Sequence, residues 1–100
     1  MPKYKLILTS RAIKEIQNAI DYYNGQQQGL GKRFYSDLKR QFSAIKLNPF
    51  TRAIRYDEIR FAMLKKFPYA AHYNIEHHSI IVLGVLSTHQ NPDTSWIGRS

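Results

Sequence analysis

Apolar positions along the chain follow a helical period in the first half and an alternating period in the second half. A short alternating stretch at residues 3–8 predicts an N-terminal strand. Apolar residues then recur every three or four positions, which predicts an amphipathic helix over residues 12–23. Thr9 or Ser10 is positioned to supply the N-cap oxygen, and Asn24 and Gly25 are predicted to end the helix.

A second helix is predicted after a short polar loop. Its apolar residues run from Leu30 to Ile45 at steps of four, four, four and three. Asn48 and Pro49 are predicted to end it, because proline disfavours helical geometry in the residue before it. The polar side of this helix is predicted to carry Lys32, Arg33, Asp37, Lys39, Arg40 and Lys46.

From residue 53 onward the period is two, which predicts strands at residues 53–56, 59–64, 69–75 and 80–86. Residues 65–68 form the predicted turn in this meander. The last strand is apolar on both faces, so it is predicted to be central, with the N-terminal strand as its second neighbour. The predicted fold is a two-layer α+β single domain over residues 1–100: an N-terminal strand, a helical hairpin and an antiparallel meander of three to four strands.

The charge of the chain narrows the class of partner. Fifteen Lys and Arg residues against seven Asp and Glu residues give a formal net charge of +8. Such a charge favours RNA, DNA, ribosomes, anionic membranes or an acidic protein as partner, and does not discriminate among them. The absence of cysteine excludes disulfides and thiolate chemistry, and fits a reducing compartment. With no apolar run of about 18 residues, we expect a cytoplasmic protein that does not enter membranes.

Several local features, taken in order, resemble the RelE/ParE superfamily of toxins from type II toxin-antitoxin modules. These features are the helix ending in Tyr22 and Tyr23, the Gly29 and Leu30 opening of a helix with Phe34, the Asn48-Pro49 stop, Ile59 and Arg60, the segments 67–69 and 72–75, and the apolar strand running to His89. The resemblance covers nearly the whole chain. It rests on the combination rather than on any one motif.

The resemblance implies one of two activities. ParE-like members, of the plasmid-stabilisation type, poison DNA gyrase, whereas RelE-like members cleave messenger RNA on the ribosome. We favour the ParE-like branch, with growth arrest through a macromolecular target and neutralisation by a cognate acidic antitoxin. A homodimer and a heterotetramer with the antitoxin both fit this expectation. The RelE-like endoribonuclease and a non-toxic basic RNA-binding or scaffold domain are the alternatives.

The nuclease alternative depends on Arg60 and His89. Arg60 falls where the nuclease branch has a strand cation, and His89 is the candidate for proton transfer, unless it only ends its strand. The other cations of that branch fall near Glu58 and Ala70, and its C-terminal tyrosine falls near Trp96, so these positions depart from the nuclease pattern.

Binding of target or antitoxin is expected to involve Lys65, Lys66, Trp96 and Arg99. Trp96 has a second interpretation as a lid over the core, because tryptophan buries a large apolar area. No metal and no cofactor are expected. Adjacent residues on an extended chain, such as His77 and His78, point to opposite faces and do not make a ligand set.

Overall fold

The computed structural model describes residues 4–88, which form one five-stranded sheet covered by two helices. The elements are β1 (Lys5–Leu8), α1 (Ser10–Gln26), α2 (Leu30–Leu47), a 3₁₀ turn (Pro49–Thr51), β2 (Ile54–Tyr56), β3 (Ile59–Met63), β4 (Tyr69–Glu76) and β5 (Ser79–Ser87). The strand order is β1-β5-β4-β3-β2, with β1 parallel to β5 and the other pairs antiparallel. The predicted α+β class, the four-stranded meander and the central position of the last strand are confirmed.

The first helix begins where the sequence indicates but ends later than predicted. Thr9 is its N-cap, and its hydroxyl oxygen accepts a hydrogen bond from the amide of Ala12 at 3.1 Å. The helix continues through Gly25 to Gln26, so the prediction that Asn24 and Gly25 end it is wrong. Asn24 does not cap its own helix, because its side chain accepts a hydrogen bond from the amide of Gly31 at 2.9 Å. The left-handed residue in the loop is Gly29, with φ 85°.

The two helices approach closely at the start of α2. A Cβ atom added to Gly31 would lie 2.6 Å from the carbonyl oxygen of Ile20 and 2.8 Å from the side chain of Asn24. Only glycine fits this contact without a shift of the helices. The spacing of the helical hairpin is therefore set by one small residue.

The core lies between the helix pair and the sheet. Its largest fully buried side chains include Phe34 and Leu38 from α2 and Tyr73 from β4. The Tyr73 hydroxyl donates a hydrogen bond to the carbonyl oxygen of Pro49 at 2.7 Å, which satisfies the one polar group of this ring. The end of α2 and the 3₁₀ turn are thereby fixed against the sheet.

One acidic residue is placed differently from the sequence prediction. Asp37 is not on the polar side of α2: its side chain is 1% exposed and faces the sheet. The helical spacing from Phe34 through Leu38 to Gln41 already includes position 37 on the buried side. Glu58 lies in the turn between β2 and β3, between the two strands that the sequence predicted, and it and Asp57 have φ 65° and 45°.

Candidate binding surface

The turn between β3 and β4 carries Lys65 and Lys66, and the buried carboxylate of Asp37 binds its backbone. Asp37 accepts a hydrogen bond from the amide of Lys65 at 3.3 Å and another from the amide of Lys66 at 2.7 Å. Hydrogen bonds to an ionised acceptor are among the stronger ones in proteins. Because only the backbone amides are used, both lysine side chains remain exposed.

The far end of the same turn is fixed by an aromatic cluster. The ring of Phe67 lies 4.8 Å from that of Tyr23 and 5.5 Å from that of Phe34, both in edge-to-face arrangement. Tyr69 packs on the same two rings at 5.9 and 5.1 Å. Edge-to-face pairs at these distances are favourable beyond the area that they bury. The lysine pair is thus carried on a turn that is anchored at both ends.

A groove that we call the α2 groove lies on one side of the turn. Its volume is about 640 Å³, and its lining residues are Gly29, Leu30, Lys32, Arg33, Ser36, Arg40, Lys66 and Phe67. Lys32, Ser36 and Arg40 lie four residues apart on one face of α2, so they form a row along the groove. Leu30 and Phe67 are the large apolar residues in this lining.

A second groove, the β3 groove, lies on the other side of the turn. Its volume is about 360 Å³, and it is lined by Gln41, Thr51, Arg52, Ala53, Arg55, Phe61, Met63 and Lys65. Arg52 donates a hydrogen bond to the oxygen of the buried Gln41 side chain at 2.9 Å, and Arg55 lies over the ring of Phe61 at 5.5 Å. Of the described residues that line either groove, none is acidic.

Arg60 is engaged by the backbone next to the β3 groove. Its guanidinium donates to the carbonyl oxygen of Arg52 and lies 3.5 Å from that of Phe50, and it sits over the Phe50 ring at 5.2 Å. These contacts tie β3 to the segment between the 3₁₀ turn and β2. Arg60 lines neither groove.

His72 lies on the side of the sheet away from the helices, stacked on Phe61 with ring centroids 3.9 Å apart. The hydroxyl of Tyr56 is 3.3 Å from its Nδ1 atom. Burial lowers the pKa of His72 from 6.5 to about 4, because the charged imidazolium is poorly solvated there. The ring is therefore neutral at neutral pH.

The structure brings together some of the residues that the sequence suggested. Lys65 and Lys66 lie side by side on the turn, each facing a different groove. His89, Trp96 and Arg99 lie outside the described residues. Within residues 4–88 no three histidine, aspartate or glutamate side chains are grouped to hold a metal ion, and no helix is long and apolar enough to cross a membrane.

Sequence reasoning missed the residues that build the surface around the turn. Asp37 and Gln41 are buried polar residues that position it, and Arg52 and Arg55 complete the second groove. A signal for Asp37 and Gln41 was present in their spacing from Phe34. The sequence pattern held no such signal for Arg52 and Arg55, because their positions depend on the connection between α2 and the sheet.

Comparison with known proteins identifies a solved structure with the same fold. A chain of the chromosomal ParDE toxin-antitoxin system from P. aeruginosa has the same fold, with a TM-score of 0.75 at 17% sequence identity. The match covers 85% of this chain and 96% of that chain. No curated protein sequence matches.

The strand order and the helical hairpin therefore define a small two-layer α+β domain of the kind found in that toxin-antitoxin system. The model of the family described as "ParE toxin of type II toxin-antitoxin system, parDE" matches residues 6–92. The chain belongs to this family, as the sequence resemblance predicted.

Proposed function

We propose that this protein arrests growth in the cytoplasm by binding a macromolecular target, DNA gyrase, and that a cognate acidic antitoxin neutralises it. Membership of the ParE toxin family supports the proposal. The observation that carries it is the Lys65-Lys66 turn, anchored at both ends and flanked by two grooves lined with cations. A large acidic partner fits this surface by charge complementarity.

Anchoring the turn favours binding for an energetic reason. An interface loses free energy when flexible segments become ordered on association. Here Asp37 and Phe67 order the turn before any partner arrives, so only the lysine side chains remain to be fixed. The exposed positive charge also increases the rate of encounter with an acidic partner.

Two observations support a binding role over cleavage of RNA. The guanidinium of Arg60 is occupied by backbone carbonyl groups, so a phosphate would have to displace them. His72 is buried and neutral at neutral pH, which does not suit a general acid in place of His89, a residue outside the described part of the chain. A toxin that binds its target without bond cleavage needs neither group.

The test uses the purified chain with gyrase and supercoiled plasmid, and in parallel with ribosomes and messenger RNA. Stabilised gyrase-DNA cleavage complexes are expected in the first assay and intact messenger RNA in the second. Replacing both turn lysines, Lys65→Gln with Lys66→Gln, is expected to weaken gyrase binding about tenfold, or about 1.4 kcal/mol. Messenger RNA cleavage that needs ribosomes would overturn the proposal.

The antitoxin part of the proposal has its own test. Co-expression with a cognate acidic antitoxin is expected to restore growth and to give a complex that weakens as salt rises. The mass of that complex, measured by light scattering, distinguishes a heterotetramer from a 1:1 complex. The same measurement on the chain alone detects a homodimer. A salt-insensitive complex would show that charge is not what holds the antitoxin.

A further inference from the structure

We propose that the two grooves and the turn between them form a binding surface for a single strand of nucleic acid. The inference goes beyond the proposed action on gyrase and the antitoxin, and it does not depend on toxicity. The strand would run along the α2 groove, cross the Lys65-Lys66 turn and enter the β3 groove, with its phosphates facing the cations. No base is read by this arrangement, so the binding is independent of sequence.

The distribution of charge around the turn points to a phosphate backbone. Lys32, Arg33, Arg40 and Lys66 line the α2 groove, and none of its described lining residues is acidic. The rise of an α-helix is about 1.5 Å per residue, so Lys32 and Arg40 lie about 12 Å apart along α2. A nucleic acid carries one charge per phosphate along its whole length, and a row of cations meets several of them at once.

The β3 groove continues the same surface with cations that are already ordered. Arg52 is held by the buried Gln41, and Arg55 rests on the ring of Phe61. Lys65 projects from the anchored turn at the edge of this groove. Ordered side chains lose less conformational entropy when a phosphate binds, which favours contact with a flexible strand.

The shape of the surface favours one strand over a duplex. The cations line two shallow grooves with a turn between them. Proteins that bind single strands combine a positively charged groove that follows the backbone with aromatic side chains along it. Phe67 lines one groove and Phe61 the other.

The interior of the two grooves suits a phosphate backbone better than a bound peptide segment. Tight peptide interfaces draw most of their energy from a few apolar anchors in a desolvated centre. In these grooves cations outnumber the large apolar side chains. Three of the most exposed large apolar residues line neither groove: Leu47 at the end of α2, Phe50 in the 3₁₀ turn and Ile54 in β2.

The test is fluorescence anisotropy of the purified full chain with a labelled single strand of about 20 nucleotides of mixed sequence. Measurements run from about 50 to about 200 mM salt, because phosphate contacts make the binding constant fall with salt. The groove variant carries Lys32→Gln and Arg40→Gln. The matched control carries Lys5→Gln and Lys14→Gln, which removes the same net charge at exposed positions outside both grooves.

The expected result is salt-dependent binding that the groove variant weakens about tenfold, with a salt slope lower by about 1.4, since each phosphate contact to a single strand contributes about 0.7. The control variant is expected to bind as the original chain does. Equal losses in both variants would show that net charge alone is responsible and would overturn the proposal.

Two competitors complete the experiment. A duplex of the same sequence and an acidic peptide of the same charge are each added to the bound single strand. Both are expected to displace it less effectively than the unlabelled single strand does. Tighter binding of the duplex or of the peptide would overturn the assignment of this surface to a single strand. Gyrase poisoning without binding to the single strand would overturn this proposal and leave the proposed function standing.

Discussion

Asp37 holds the basic turn although its own side chain is buried, so its contribution is separable from any contact with a partner. A carboxylate has only acceptor positions to offer to the amides of Lys65 and Lys66. An asparagine at this position would present an NH₂ group to one of them. The arrangement therefore depends on two acceptor oxygens as well as on the shape of the side chain.

Asp37→Asn is expected to lower the free energy of unfolding by about 2 kcal/mol, because it replaces one of the two oxygens that accept from the turn amides with an NH₂ group. Urea denaturation followed by circular dichroism measures the change. Asp21→Asn is the control, since Asp21 is exposed and its bond to Gln17 lies on the surface of α1. Equal stability of the two variants would contradict this role for Asp37.

His72 makes the stability of the fold depend on pH. Its pKa in the folded protein is lowered from 6.5 to about 4, so the unfolded chain binds a proton more readily between these values. The stabilisation is complete above pH 6.5 and is lost progressively as pH falls toward 4, with a total on the order of 3 kcal/mol.

His72→Gln is expected to flatten the pH dependence of the unfolding free energy between about pH 4 and 6.5, while lowering stability at neutral pH. Thermal denaturation across this range gives the comparison, and the exposed His77→Gln serves as control. An unchanged slope in the His72 variant would show that another group carries the effect.

The helical hairpin offers a matched pair of glycines at the scale of the element. Gly31 is in contact with α1, whereas a Cβ atom at Gly25 would meet nothing within 4 Å. Gly31→Ala is expected to cost about 1–3 kcal/mol because the helices must separate. Gly25→Ala, within α1, is expected to stabilise by about 0.5–1 kcal/mol.

Both glycine changes are read by the same unfolding experiment, so their difference in sign is the informative quantity. If Gly31→Ala leaves stability unchanged, the close approach of Ile20 to α2 is not a constraint on the fold. Gly25→Ala reports only on the helix itself, because that position has open space around it.

At the same scale, the elements show what periodicity can and cannot predict. The α2 bounds follow from the Leu30 to Ile45 stripe and from Pro49, both of which act locally. The end of α1 was misjudged because Asn24 is used by a contact with the next helix rather than by a cap. The pairing of β1 with β5 was predictable from the apolar last strand, which needs a neighbour on each side.

At the scale of the whole molecule, the net charge of the sequence indicated a basic protein but did not indicate where on the surface its cations would lie. Lys65 and Lys66 stood out as a pair in sequence, and both are exposed on the turn. The grooves on either side of them combine α2 with the segment after the 3₁₀ turn, and such a combination is set by tertiary packing. The basic surface around the turn is thus a property of the fold, not of any one segment.

The central claim is that the anchored turn binds the partner through its lysine side chains. Growth after induction tests it most directly, with Lys65→Gln and Lys66→Gln compared with the equal charge loss of Lys5→Gln and Lys14→Gln, at matched protein levels. The turn variant keeps both amides bound to Asp37, so its fold is expected to persist. Relief of arrest by the turn variant alone is the predicted result; arrest as strong as that of the unchanged chain would contradict the account.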